Sequence, residues 1–106
     1  MKRHTIQSTG AAINDTFGPV TSRTYLDLLL VHVNTAPATA STFQVQLDSA
    51  SGNDFDTVLY ALNLQAASTT DIFASMNSLE LQPGDAIKTT YANPDGRRIG
   101  VTLQLR

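Results

Sequence analysis

The sequence predicts an all-β protein, an antiparallel β-sandwich of seven or eight strands with jelly-roll-like connections and an extended N-terminal segment. Three observations predict this fold. Apolar and polar residues alternate along most segments, with the period of two that a half-buried strand has. Turn-forming residues recur at intervals of about 8 to 12 positions, which is typical of sandwiches and small barrels. No segment of helical length keeps a period of 3.6.

Composition limits the function classes. At 106 residues the chain has the size of one domain, large enough to bury a core without crosslinks. It has no cysteine, which excludes disulfides, thiolate metal sites and a cysteine nucleophile. The net charge of −2 argues against a nucleic-acid partner, since such proteins present a basic face. The longest apolar run, residues 28–31, is far too short to cross a bilayer, so no membrane partner is expected.

Residues 1–23 differ from the rest of the chain. They are small, polar and weakly patterned, and Gly10, Gly18 and Pro19 interrupt any long strand. We therefore divide the chain into an N-terminal segment, residues 1–23, and a sandwich domain, residues 24–106. The sequence leaves two interpretations of the N-terminal segment open: an edge strand of the sandwich, or an extended arm that lies on a neighbouring subunit.

The segments between residues 24 and 75 predict four strands. Residues 24–34 are rich in Leu and Val on both faces, which favours a central strand covered on both sides. Residues 42–48 alternate cleanly, and residues 56–64 and 71–75 follow after turns rich in Ser, Asn, Asp and Thr. The apolar residues expected to share one face of the third of these strands are Val58, Tyr60, Leu62 and Leu64.

The last quarter of the chain, residues 79–105, predicts three strands joined by two tight turns. Residues 83–85 are Pro-Gly-Asp and residues 93–96 are Asn-Pro-Asp-Gly. In both turns proline presets φ and glycine supplies a positive φ. We interpret the last two strands as a hairpin with one apolar face, to which the final strand contributes Ile99, Val101, Leu103 and Leu105. The remaining strands must cover that face, because a lone hairpin is unstable in water.

The search for catalytic and metal-binding residues gives little. His32 lies in an apolar strand, and a general base needs a nucleophile and an orienting group within reach, so we expect no enzymatic activity. Asp48, Asp54 and Asp56 bracket one turn and leave a calcium site open, although their spacing does not match an EF-hand loop. A cupin-like metal site is not expected, because Glu80 is the one glutamate and the two histidines are far apart. We predict no cofactor.

Five residues are candidates for contact with a partner protein. Phe17 is a large apolar residue without an evident place in the core, although the core could also take it. Lys88, Arg97 and Arg98 form a small basic spot, which is either a solvated edge or a contact with an acidic surface. Arg3, in the N-terminal segment, is the fifth candidate.

Aromatic residues bear on an alternative function, because an aromatic ring can stack on the face of a sugar. The chain has no Trp, and Tyr25, Tyr60 and Tyr91 lie in strand patterns where we expect them to be half-buried. The alternative function is a carbohydrate-binding jelly-roll module, as in a receptor-binding tip or a sugar-binding domain. Tyr25 or Tyr91 would then contact the sugar.

Two motifs combine turn and core residues. LDS-x-x-G precedes DFDTVLYALN, and L-x-x-GDAIK-x-x-YAN-x-DGR precedes the final strand. With these motifs, residues 26–105 resemble small β-sandwich virion proteins of tailed bacteriophages. The motifs imply a fold and transfer no site residues, because they consist of turn and core positions.

The resemblance implies a non-enzymatic capsid decoration protein, also called a cement protein. Such a protein would be made in the host cytoplasm and would lie on the capsid surface of the virion. Its expected partners are the major capsid protein and further copies of itself, in a homo-oligomer for which we expect a trimer.

Overall fold

Eight strands and two short 3-10 turns make up the chain in the computed structural model, which describes residues 2–67 and 69–106. Met1, in the predicted N-terminal segment, and Ser68, in the turn predicted before residues 71–75, lie outside the described residues. The 3-10 turns are Asn53–Phe55 and Leu64–Ala66. The strands are β1 (Lys2–Ser8), β2 (Ile13–Phe17), β3 (Thr24–Val33), β4 (Thr42–Asp48), β5 (Thr57–Asn63), β6 (Asp71–Leu81), β7 (Ala86–Tyr91) and β8 (Ile99–Leu105).

The strands form two four-stranded antiparallel sheets. The first sheet has the order β1-β8-β3-β6, and the second sheet has the order β2-β7-β4-β5. The buried side chains of both sheets belong to a single hydrophobic core. The predicted all-β sandwich and its strand number are therefore confirmed.

The core is built by the alternation that the sequence shows. β8 lies inside the first sheet and buries Ile99, Val101, Leu103 and Leu105, as predicted. Each such side chain contributes roughly 1.5–3 kcal/mol through removal of apolar surface from water. The largest fully buried side chains from the other strands are Tyr91, Phe43, Leu26, Leu29, Leu81 and Ile87.

The predicted C-terminal hairpin is wrong, although its strands and turns are present. β7 and β8 belong to different sheets, and β8 pairs with β1 and β3. The turn before β7 is held by buried Asp85, whose carboxylate accepts hydrogen bonds from the amides of Ala50 at 2.8 Å and Gln82 at 2.9 Å. Such a turn can connect two paired strands of a hairpin or lead the chain from one sheet to the other. The local sequence therefore does not determine which of the two connections forms.

β5 departs from the predicted alternation because it contains a β-bulge. Val58 pairs with Gln46 and Tyr60 with Val45, so Leu59 is an extra residue in the ladder. The bulge moves Val58 to the outer face, where 51% of it is exposed, while Tyr60 packs toward the core. The prediction that Val58 shares a face with Tyr60 is therefore wrong, because one extra residue reverses the phase of a strand.

β3 is an inner strand of the first sheet, but only one of its faces is covered. Leu26, Leu29 and Val31 are buried in the core. On the other face, Leu30 is half-exposed and His32 is exposed. The predicted cover on both sides is wrong, because a two-layer sandwich covers each sheet on one face. An outer face with apolar residues is thereby left open.

The N-terminal segment forms one edge strand in each sheet. β1 pairs with β8 in the first sheet, and β2 pairs with β7 in the second. Ile13 of β2 is only 5% exposed and belongs to the core. The described part of the segment thus matches the edge-strand interpretation. An extended arm is not seen among the described residues, because both strands find partners within the same chain.

Candidate functional site

The outer face of the first sheet is the candidate site. Paired residues of antiparallel strands project to the same side of a sheet, so the strand register shows which side chains are neighbours on this face. The first row across the strands is Thr5, Thr102, Leu30 and Phe73. The row next to it is Gln7, Gly100, His32 and Asp71.

Gly100 opens a groove in this face. A Cβ built on Gly100 meets no atom within 4 Å, so the missing side chain leaves open space. Two depressions adjoin there and share Gly100, His32 and Thr102 in their walls. Their volumes are about 340 Å³ on the β1 side and about 400 Å³ on the β6 side. We call the two depressions together the Gly100 groove.

His32 stands in the middle of the Gly100 groove. Its Nδ1 lies 2.5 Å from Oδ1 of Asp71, and its Nε2 lies 3.1 Å from Oδ1 of Asn34. The hydrogen bond to Asp71 is the main cause that raises the pKa of His32, and the negative charge of Asp71 and the contact with Asn34 act in the same direction. Both ring nitrogens are thus engaged, so in this arrangement neither can accept a substrate proton.

Phe73 forms the β6 wall of the groove and is 72% exposed. It lies opposite Leu30 of β3, on the edge strand of the first sheet. Sequence reasoning missed Phe73, although the signal was present. Asp71, Phe73 and Ser75 alternate with two apolar residues of β6 that face the core, so Phe73 has the phase of the polar residues.

The structure does not bring the five predicted partner-contact residues together. Lys88 projects from the outer face of the second sheet, 3.6 Å from Asp48, whereas Arg3 projects from the outer face of the first sheet. Arg98 is exposed and lines the Gly100 groove, while Arg97 is half-buried beside it in the chain. Lys88 therefore lies on the face of the sandwich opposite to the groove.

Phe17 lies toward the core. It is half-buried, pairs with Ile87 and packs against the ring of His4 at a centroid distance of 5.0 Å. His4 in turn contacts Asp15 of β2, with 2.7 Å between Nε2 and Oδ2. Phe17 thus packs where the two sheets meet, at their N-terminal edge.

The three aspartates of the predicted calcium loop do not converge. Oδ1 of Asp56 accepts a hydrogen bond from the amide of Ser49 at 2.8 Å, and Asp48 faces Lys88. Asp54 lies in the exposed 3-10 turn. Over residues 2–67 and 69–106, no group of three or more His, Cys, Asp or Glu side chains is placed to hold a metal ion. These carboxylates shape and solvate the turn.

Neither tyrosine considered for sugar binding presents a free ring. Tyr91 is 2% exposed instead of half-buried, and burial is the main cause that raises its pKa. The guanidinium of Arg106 lies 4.6 Å from the centroid of the Tyr25 ring, and the Tyr25 hydroxyl donates to Glu80 at 3.2 Å. Tyr60 is half-buried against the core.

The fold and the groove define the protein as a β-sandwich with an open, mixed polar and aromatic face. No family model and no curated protein matches the chain. In the part of the chain that the structure describes, no helix is long and apolar enough to cross a membrane.

Proposed function

We propose that this chain is a non-enzymatic structural protein of a bacteriophage virion. It would be a capsid decoration protein that binds the assembled shell as a homo-oligomer and stabilises it. The observation that carries the proposal is the distribution of exposed apolar side chains. Among the residues that the structure describes, three large hydrophobic residues are strongly exposed: Phe55 at 61%, Val58 at 51% and Phe73 at 72%.

Two of these residues, Phe55 and Val58, lie close together in the chain at one lateral edge of the sandwich, whereas Phe73 projects from the outer face of the first sheet. β1 and β2 approach each other at one edge, so β5 and β6, at the other ends of their sheets, form the opposite edge. Val58 belongs to β5, Phe55 immediately precedes β5, and Phe73 belongs to β6. Neighbouring exposed apolar side chains such as those of Phe55 and Val58 are typical of a protein contact.

Both strands of this edge are built to prevent simple strand addition. β5 has its bulge at Leu59, and β6 is irregular where Asn77 and Ser78 have φ values of 54° and 52°. Bulges interrupt the row of free amides and carbonyls that another strand would need. A partner would therefore bind through the side chains of Phe55 and Val58.

The strand pairing supports assignment of the sandwich as a jelly roll. β1 pairs with β8, β2 with β7, β3 with β6 and β4 with β5, so the chain is a nested set of antiparallel pairs. Only the β4–β5 connection stays within one sheet. Winding such a nested hairpin over two sheets gives the double Greek key of a jelly roll, which occurs in viral capsid proteins.

The proposed mechanism is preferential binding to the assembled shell. A protein that binds the shell but not the free coat subunit stabilises the shell by mass action. A symmetric oligomer attaches through several equivalent sites, and this multivalency increases its avidity without new contacts. No group transfer or cofactor is needed for this role.

The test is binding to shells assembled from the coat protein encoded by the same genome. We expect the wild-type protein to sediment with the shells. Phe55→Ser and Val58→Lys should each reduce occupancy about tenfold or more, as truncation of a central apolar contact does. Phe73→Ala is the matched control, and it should retain occupancy.

If the wild-type protein never sediments with shells, the proposal is wrong. Deletion of residues 1–20 is not a clean test, because those residues contain β1 and β2, one strand of each sheet.

A carbohydrate- or receptor-binding domain of a fibre is the second candidate function. One observation favours it: Phe73 is an exposed ring in an open groove, which neither Tyr25 nor Tyr91 provides.

A further inference from the structure

We infer that the Gly100 groove is a binding site for a neutral oligosaccharide, in which Phe73 stacks on a sugar ring and Asp71, Asn34 and Gln7 bind its hydroxyl groups. This site goes beyond the shell-binding role and uses a different surface. It deepens the second candidate function by naming the residues that contact the ligand.

The shape of the groove fits an extended ligand. Two depressions of about 340 and about 400 Å³ lie end to end across β1, β8, β3 and β6, with Gly100 between them. Each falls in the range of roughly 300–1,000 Å³ that is usual for small-molecule sites. The groove is open along its length, so a chain of several rings can lie across the strands.

The chemistry of the walls fits a sugar. The ring of Phe73 offers an apolar surface that can cover the C–H face of a pyranose, together with Leu30. An exposed carboxylate at Asp71 lines the same depression as Phe73, and the side-chain amides of Asn34 and Gln7 line the adjoining depression on the β1 side. Planar groups of this kind bind neighbouring hydroxyls, while the apolar surface supplies contact area.

The charges in the groove indicate a neutral ligand. When His32 is protonated, its charge is balanced by Asp71 at 2.5 Å, so the centre of the groove has no net charge. Arg98 lies at the β1 end of the groove, away from Phe73. His32 itself is held by Asp71 and Asn34, and it positions these two side chains instead of binding the ligand directly.

A second copy of the chain fits this groove less well. A stable protein interface buries about 800 Å² on each partner, with few charges at its centre. Here the centre carries His32 and Asp71, whose side chains are 60% and 72% exposed. A protein partner would have to remove water from this ion pair, which is costly. A sugar can leave the pair solvated and hydrogen-bond to it.

The experiment is an NMR titration of the full chain with cellotetraose, chitotriose and maltotetraose at up to roughly 10 mM, which detects affinities near the millimolar limit. We expect at least one of these sugars to shift the amide signals of β3, β6 and β8 around the groove. Phe73→Ala should weaken binding at least tenfold, because it removes the aromatic surface that covers the sugar ring. Phe55→Ala removes an exposed ring outside the groove, and it should change nothing.

Gly100→Val is the second variant, because it fills the groove and leaves the wall residues in place. A Cβ at position 100 meets no atom within 4 Å, so this variant should fold, and its melting temperature verifies that. Binding should be lost. If none of the three sugars shifts the groove signals, or if both groove variants bind as well as wild type, the inference is wrong.

Sedimentation velocity tests whether a second copy of the chain, instead of a sugar, occupies the groove. Self-association that Phe73→Ala abolishes, in a protein that binds none of the sugars, would assign the groove to a second copy and overturn the inference. Shell binding is measured separately, through Phe55 and Val58. Failure of the sugar site therefore leaves the shell-binding proposal standing, and the reverse also holds.

Discussion

The two lateral edges of the sandwich differ in how they are closed. At the N-terminal edge, His4 and Asp15 connect β1 and β2 across the two sheets at 2.7 Å, and Phe17 packs on His4. At the opposite edge, β5 and β6 are both irregular and carry Val58 and Phe73 exposed to solvent. One edge is stabilised by internal contacts, whereas the other presents its side chains outward. The difference indicates that the β5–β6 edge is the one available to partners.

Two asparagines make the same comparison at the level of single residues. Asn93 and Asn77 have nearly the same backbone conformation, with φ values of 53° and 54°. Asn93 is 5% exposed, and its side chain hydrogen-bonds to Ala11 and to both backbone groups of Arg97. Asn77 is exposed on β6. At Asn93 this conformation places a side chain that links the β1–β2 loop to the β7–β8 loop. At Asn77 the same conformation belongs to an exposed bulge.

The largest expected effect is that of Asn93→Gly. Glycine accepts the positive φ, so the change isolates the loss of three partly buried hydrogen bonds. We expect the free energy of unfolding to fall by about 2–3 kcal/mol, as for other buried polar groups left without partners. Denaturation in guanidinium chloride measures it. Asn77→Gly is the matched control, and it should stay within about 0.5 kcal/mol of wild type.

Phe17→Ala is expected to have the next largest effect. Phe17 is half-buried between the sheets, so its loss should cost about 2 kcal/mol, less than for a fully buried phenylalanine. Phe73→Ala at the other edge should leave stability within about 0.5 kcal/mol, because Phe73 is 72% exposed. The two unfolding midpoints are compared directly. Equal losses for both variants would contradict the proposed difference between the edges.

His4→Ala should cost about 1 kcal/mol, because it removes the partly buried hydrogen bond to Asp15 and the ring that packs on Phe17. His32→Ala removes a similar pair on the exposed outer face, and we expect no measurable loss of stability there. Thermal unfolding of both variants at one pH tests this. His4 and Phe17 are in contact, so the double variant should lose less than the sum of the single losses.

The smallest effect concerns the titration of His32. Its pKa is raised, mainly by the hydrogen bond from its ring to Asp71. A raised pKa means that the folded state binds the proton of His32 more tightly than the unfolded state does. The stability that His32 contributes is therefore present below the pKa of His32 in the unfolded chain, and it is lost as the pH rises through the pKa in the folded chain. In an NMR pH titration, Asp71→Asn should lower the pKa of His32 toward its ordinary value. Asn34→Ala should lower it less, and a reversed order of the two variants would contradict the assignment.

Much of the local structure was predictable from the residues. The apolar phase of β8 and the turn residues around Asp85 and Asn93 are in the structure at the predicted positions. They are predictable because each depends on neighbours within a few residues, through φ preferences and alternation. Phe73 could also have been found, since its phase in β6 matches that of Asp71 and Ser75.

Other features depended on contacts between distant residues. The bulge at Leu59 is not visible in the sequence, because it is defined by the partner strand β4. The Gly100 groove needs Gln7, His32 and Asp71, from three strands, to meet around a glycine of a fourth. No short stretch of sequence contains that arrangement.

By itself the sequence determined where this chain extends and where it turns, because those choices are made by single residues and their immediate neighbours. Only the tertiary structure decided that β7 and β8 part into different sheets, and that the N-terminal segment supplies an edge to each. The physical reason is that a strand can pair with any strand of compatible register. The choice is made by the burial of all the apolar faces together.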